Sequence, residues 1–275
     1  MIFNESFLGI HLSTSFSRLW AFRGFILSSV KREFQLRYHN SALGIFWIIL
    51  SPLSMILIYT LIFSEVMHAR MPGIEMRYGY SIYLMAGLLP WGLFSEMIGK
   101  GQNLFLDNAN LLKKVNFPKI SLLVILCLSS LINFSIIYSI FLIFLIISGQ
   151  FPGLVIFSVI PILVLQIILA IGLALILGIL NVFFRDVGQF FGIFLQFWFW
   201  LTPIIYVFSM VPSAFQGLIS LNPMTPIIVA YQNIFVLQSA PNWISLLPVL
   251  ATAVALNLIG LYLFKKRSGE MVDEL

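Results

Sequence analysis

Few side chains in this sequence could do chemistry, and their placement excludes most of it. His11, His39 and His68 are isolated from one another, and two of them precede the first long apolar run. No HExxH or comparable metal-ligand spacing occurs. Serines are plentiful, but none pairs with a histidine inside an apolar run, so no activated nucleophile is encoded. The nucleotide signature GxxxxGK[ST] is absent: Gly92, Gly99, Lys100 and Gly101 have the wrong spacing and lack the hydroxyl residue. Ion-coupled transport places ionisable groups within a helix bundle. Here the one deep candidate is Glu96, and Lys100 four residues later is placed to pair with it on a helix. Cys127 lies alone in an apolar run and reads as a packing residue.

The elements that carry these residues belong in lipid. Apolar residues make up 60% of the 275 and charged residues only 9%, against about 25% in soluble domains. The net charge is +5, but the basic residues fall in short blocks between hydrophobic runs. That differs from the continuous basic face of a nucleic-acid binder. No secretory signal is read at the start, where Glu5 and Arg18 bracket no long apolar core.

A spanning helix needs roughly 20 apolar residues, and six stretches qualify: 42–64, 80–99, 120–148, 154–184, 187–208 and 244–264. Pro161 is expected to kink the fourth near its start, and Pro203 to break or bend the fifth. Thirteen Lys and Arg residues fall on one side of this arrangement and two, Arg70 and Arg77, on the other. The positive-inside rule then puts both termini in the cytoplasm, and an even number of spans agrees. Ala170, Ala174 and Gly178, four apart in the fourth span, form a stripe for close helix packing.

Three segments outside the spans stand out. Residues 14–37 are too charged to cross, yet Leu19, Phe22, Ile26, Val30 and Phe34 recur at helical spacing, predicting an amphipathic helix at the cytoplasmic interface. Residues 209–243 face the periplasm, are uncharged and largely apolar, and divide at Asn222-Pro223-Met224-Thr225-Pro226. Thr225 is the expected helix cap, with Pro226 at the first helical position. Two short re-entrant helices follow from this, which need protein or a cavity to pack against. A pair of surface helices is the alternative.

The third segment, 104–117, predicts a short amphipathic cytoplasmic helix. Leu104, Leu111, Leu112 and Val115 would be its knobs, and Asp107, Lys113 and Lys114 its rim charges. If the protein transports actively, the energy comes from a separate chain, and this segment is where that chain would couple. Aromatic residues are 15% of the sequence. They gather as Phe46, Trp47, Tyr59 and Phe63 in the first span and as Phe197, Trp198, Phe199 and Trp200 in the fifth. Such rings suit either sugar faces or an interfacial belt.

Six stretches in order resemble one family. They are Tyr38-His39-Asn40-Ser41-Ala42-Leu43-Gly44-Ile45-Phe46-Trp47, Ala86-Gly87-Leu88-Leu89-Pro90-Trp91, Asn108-Ala109-Asn110-Leu111-Leu112-Lys113-Lys114-Val115-Asn116-Phe117-Pro118, Asn181-Val182-Phe183-Phe184-Arg185-Asp186-Val187, Trp200-Leu201-Thr202-Pro203-Ile204 and Leu221-Asn222-Pro223-Met224-Thr225-Pro226. Together they resemble the permease subunits of type-2 ABC exporters for polysaccharides.

The resemblance implies an all-α polytopic membrane protein with six transmembrane helices, an N-terminal interfacial helix and short re-entrant periplasmic helices. Residues 1–41 would form the cytoplasmic N-terminus, 42–264 the transmembrane domain and 265–275 a cytoplasmic tail. It implies a homodimer in the bacterial inner membrane with two separate ATPase chains, which bind the ATP and magnesium. Asn108, Asn110, Leu111, Leu112, Lys113, Lys114, Val115 and Phe117 would couple to that ATPase. Phe46, Trp47, Tyr59, Phe197, Trp198 and Trp200 would line a glycan channel. Asn222, Pro223, Thr225 and Pro226 would form a periplasmic gate. Lys31, Arg32 and Arg37 stand at the basic entrance, where they could hold the pyrophosphate of an undecaprenyl-pyrophosphate-linked polysaccharide. O-antigen is the favoured cargo. A capsule or teichoic-acid exporter, a type-2 exporter of drug or lipid, and a channel or scaffold without ATP coupling remain as alternatives.

Overall fold

A computed structural model describes residues 20–38, 46–62, 78–114 and 117–275. His11, His39, His68, Phe63, Val115 and Asn116 lie outside them. The described residues form helices joined by turns, with no strand among them. In chain order these are α1 (Arg23–Tyr38), α2 (Trp47–Tyr59), α3 (Gly79–Asp107), α4 (Ala109–Lys114), α5 (Ser121–Ile147), a 3-10 turn (Gly153–Ser158), α6 (Val159–Phe183), α7 (Asp186–Trp200), α8 (Ser213–Ser220), α9 (Met224–Phe235), α10 (Trp243–Arg267) and α11 (Glu270–Glu274).

Four helical runs are long and apolar enough to cross a membrane: Gly79–Asp107, Ser121–Ile147, Gly153–Phe183 and Trp243–Arg267. The helices in the expected first and fifth spans are shorter. The first is apolar over Ile49–Ile62. The fifth, α7, has 15 residues, about 22 Å of helix against a hydrocarbon core of about 30 Å. It ends at Trp200 because Pro203 cannot donate to the helix and disfavours helical backbone at Thr202. Pro161 behaves differently from the expectation. It is the third residue of α6, within the first turn, where a missing N–H leaves no bond unmade. The span instead changes from 3-10 to α-helix just ahead of it.

α6 is the hub, packed against α3 on one side and α10 on the other. Small residues make both approaches possible. A Cβ on Gly101 of α3 would lie 2.4 Å from the Ala174 Cβ, and one on Gly178 would lie 2.7 Å from the Gly101 carbonyl. The stripe of Ala170, Ala174 and Gly178 is thus the α3-facing seam. Gly172 and Gly260 serve the α10 contact in the same way.

The basic residues that are described collect at one end of this bundle. Asn181 at the end of α6 donates to the Gln102 carbonyl of α3 at 2.8 Å and accepts from Gly188 N at 2.8 Å. It thereby caps α7 and ties three helices together at the Arg185-Asp186 turn.

Candidate functional site: a charged cleft and an uncharged knot at opposite ends

At the basic end, α3 runs on through Leu104 to Asp107, so the short helix expected over 104–117 begins only at Ala109. Asn108 makes the break. Its Nδ2 donates back to the Leu104 carbonyl at 2.8 Å, and its own carbonyl accepts from Leu111 N and Leu112 N at 3.0 Å. Lys113 and Lys114 occupy the last turn of α4, where cations suit the helix dipole. They are exposed, as is Asn110, and Leu111 is half-buried. Leu104, Leu112 and Phe117 turn inward and are buried. The Phe117 ring rests on Phe25 of α1, with centroids 5.3 Å apart.

Helix α1 packs along α5 and buries Ile26 and Val30. Phe22 and Phe34 are half-buried on the expected stripe. Between α1, α3, α4 and α5 lies a cleft of about 380 Å³ lined by Arg32, Glu33, Lys100, Asp107 and Asn108 over an apolar floor. The Glu96–Lys100 pair expected from spacing is present at 2.8 Å. Two partners were not visible in the sequence: Lys100 Nζ also meets Glu33 at 2.6 Å, and Asn133 Nδ2 donates to Glu96 at 2.8 Å. The chain Glu33–Lys100–Glu96–Asn133 therefore links α1, α3 and α5. Lys31 and Arg32 are exposed on α1; the side chain of Arg37 lies outside the described residues.

At the far end, the chain leaves α7 as irregular backbone over 201–207. In a membrane such backbone needs protein partners for its carbonyls, and uncharged side chains supply them. Gln232 Nε2 donates to the Pro203 carbonyl at 2.9 Å, Tyr80 to Ile205 at 2.8 Å and Tyr83 to Tyr206 at 2.8 Å. Gly87 opens the space: a Cβ there would meet Ile204 and Gln232 at 3.1 and 3.2 Å.

Asn222 is the centre of this knot. Its Oδ1 accepts from Trp198 Nε1 at 2.7 Å and Met224 N at 2.9 Å, and its Nδ2 donates to Thr202 Oγ1 at 2.9 Å. It takes the capping role expected of Thr225, whose hydroxyl donates instead to the Ile219 carbonyl at 2.8 Å. Pro223 stands at the cap position of α9, and Pro226 is its third residue. Helix α9 is deeply inserted, with Ile227, Ile228, Tyr231, Ile234 and Phe235 at most 1% exposed. Helix α8 buries only Ile219.

The six aromatic candidates divide. Trp198 packs inward against Trp91 and Phe94, at centroid distances of 6.3 and 5.3 Å. Phe46, Trp47, Phe197 and Trp200 face outward and are exposed, and Tyr59 is half-buried. A single subunit thus does not enclose the outward four. Glu33, Asn133, Asn181, Tyr83 and Gln232 were missed as structural partners. Of these, Asn181 alone stood in one of the six stretches that carry the family resemblance, without a role; Glu33 and Gln232 fell within the segments 14–37 and 209–243.

These features define a multi-pass α-helical membrane protein with its charged groups gathered at one end. Residues 25–236 match the ABC-2 type transporter family, and the chain belongs to that family. The match runs from α1 to the end of α9. The O-antigen export system permease protein RfbA of Myxococcus xanthus is 32% identical over 261 residues, covering 94% of this chain and 97% of that protein. Two proteins of the same name from Klebsiella pneumoniae are each 29% identical over 236 residues, covering 86% of this chain and 88% of their own. The family places the chain in an ABC transporter as its membrane-embedded transport subunit.

Proposed function

We propose that this chain is the permease of an O-antigen exporter. It would work as a homodimer in the bacterial inner membrane, with both termini cytoplasmic and two separate ATPase chains binding ATP and magnesium. The observation that carries the reading is the 32% identity to an O-antigen export permease over 94% of this chain and 97% of that relative. The lack of a phosphate-binding loop fits a partner ATPase, as does a short basic helix, α4, at the charged end.

In this reading the exposed face of α4, with Asn110, Lys113 and Lys114, meets the ATPase, and Leu111 and Val115 complete the contact. Leu112 and Phe117 instead hold α4 to the bundle. Lys31, Arg32 and Arg37 on α1 approach the pyrophosphate of an undecaprenyl-pyrophosphate-linked glycan. Lys100 is already matched by two carboxylates, so it adds little positive field to that entrance. The outward rings Phe46, Trp47, Phe197 and Trp200, together with the half-buried Tyr59, line a channel closed by the second subunit. Trp198 acts through Asn222, joining the channel wall to the gate of Asn222, Pro223, Thr225 and Pro226.

Co-expression with the ATPase chain of an O-antigen export system tests the reading, followed by purification in lipid and assay of O-antigen export in a strain lacking its own permease. A stable complex and restored surface O-antigen are expected, both lost when Lys113 and Lys114 become Glu. A chain that binds no ATPase, or a complex that leaves the glycan inside, defeats the proposal.

A further inference from the structure

Residues 268–275 fall in the segment 265–275 expected as a cytoplasmic tail, and the family match ends well before them. They pack against the bundle. Helix α11 has five residues, far below the length at which an isolated helix holds in water. It is held from outside. The Met271 side chain is 0% exposed, and Leu275 packs on the same core. Two clips lie just ahead of this anchor. Lys119 Nζ donates to the Ser268 carbonyl. Arg267 pairs with Glu270 while its guanidinium lies over the Phe183 ring, 5.9 Å from the centroid. Burial pushes the Lys119 ammonium below its ordinary pKa, and the charge of Asp273 partly offsets this.

What the tail lies against gives it a role. α11 lies against α6 and against the short helix α4. α4 has only six residues and one buried side chain, Leu112, so it cannot hold its own orientation. Its backing comes from the end of α3, the Phe117–Phe25 contact just beyond it, and α11. We infer that residues 268–275 are an internal strap that positions α4, anchored by Met271 and clipped at Ser268. The coupling role of α4 rests on the proposed function; the mechanical claim does not. With the strap seated, Lys113 and Lys114 are presented in one orientation. With it released, α4 is free to fray.

Hydrogen–deuterium exchange on the full chain in lipid nanodiscs tests this, using Met271→Asp, truncation after Gly269, and Met271→Leu as the conservative control. Met271→Asp and the truncation should speed exchange of the 109–114 amides about tenfold or more, a local opening made easier by about 1.4 kcal/mol. Exchange in 79–99 and 159–175, away from the strap, should stay unchanged, and Met271→Leu should match the parent. Should Met271→Asp fail to fold, the truncation carries the test. Unchanged exchange in 109–114 after truncation, or a rise spread equally over the long spans, overturns the strap. With the partner present, the ATPase concentration giving half-maximal export should rise about tenfold in the truncated chain, with the maximal rate retained. A parent chain that binds no ATPase defeats the transport reading alone and leaves the exchange result standing.

Discussion

The two ends of this molecule hold irregular or short elements by different means. At the far end, Asn222, Gln232, Tyr80 and Tyr83 bond backbone carbonyls or the Trp198 indole, with no charge involved. At the basic end, charged side chains link helices across a cleft of about 380 Å³. The difference follows from solvent. Backbone deep in a bilayer has no water to fall back on, so each carbonyl must find a neutral donor. At the interface water competes for every ion pair, which makes the pairs weak and exchangeable. The far end is therefore built to keep one arrangement, and the basic end to change arrangement at low energetic cost.

Breaking the knot should have the largest effect. Asn222→Ala removes the acceptor for Trp198 and Met224 and the donor to Thr202. It should lower stability by about 2–4 kcal/mol, as expected for stranding several partly buried polar groups at once, read as thermal unfolding in detergent or lipid. Gln232→Leu tests one bond of the knot and should cost about 1–3 kcal/mol by removing the 2.9 Å donor to the Pro203 carbonyl, which then keeps only the longer 3.3 Å bond from the Tyr83 hydroxyl.

The hub comes next. Gly101→Ala puts a methyl 2.4 Å from the Ala174 Cβ and should cost about 1–3 kcal/mol through overpacking; a smaller change would mean that α3 and α6 slide apart easily.

The smallest effect belongs to the basic end. Glu33→Gln and Lys100→Gln in a double-mutant cycle should couple by under about 1 kcal/mol, because both side chains are partly exposed, and less in high salt. A coupling as large as the Asn222→Ala loss would erase the distinction between the two ends.

Legibility followed the range of each interaction. The Glu96–Lys100 pair and the Ala170, Ala174 and Gly178 seam were readable because helical spacing alone brings such residues to one face. The stop near Pro203 was readable because proline acts on its own backbone. Thr225 was expected as a cap from local residue preference, and it lost that role to Asn222. A side chain three residues earlier also reached Trp198 and Thr202, contacts that no local rule supplies. Leu104 and Leu112 were read as outward knobs because an amphipathic pattern shows which residues share a face, not which neighbour covers it.

By itself, then, the amino-acid order determined an all-α membrane protein, the segregation of its charge to one end and the stop near Pro203. Those depend on hydropathy, proline geometry and spacing along one chain. Tertiary structure alone decided that Glu33 reaches Lys100 across 67 positions, that Gln232 bonds the Pro203 carbonyl, and that Met271 is buried in a short helix lying against α6 and α4. Those depend on which helices become neighbours, and close approach at Gly101, Gly178 and Gly87 settles that only once the bundle has formed.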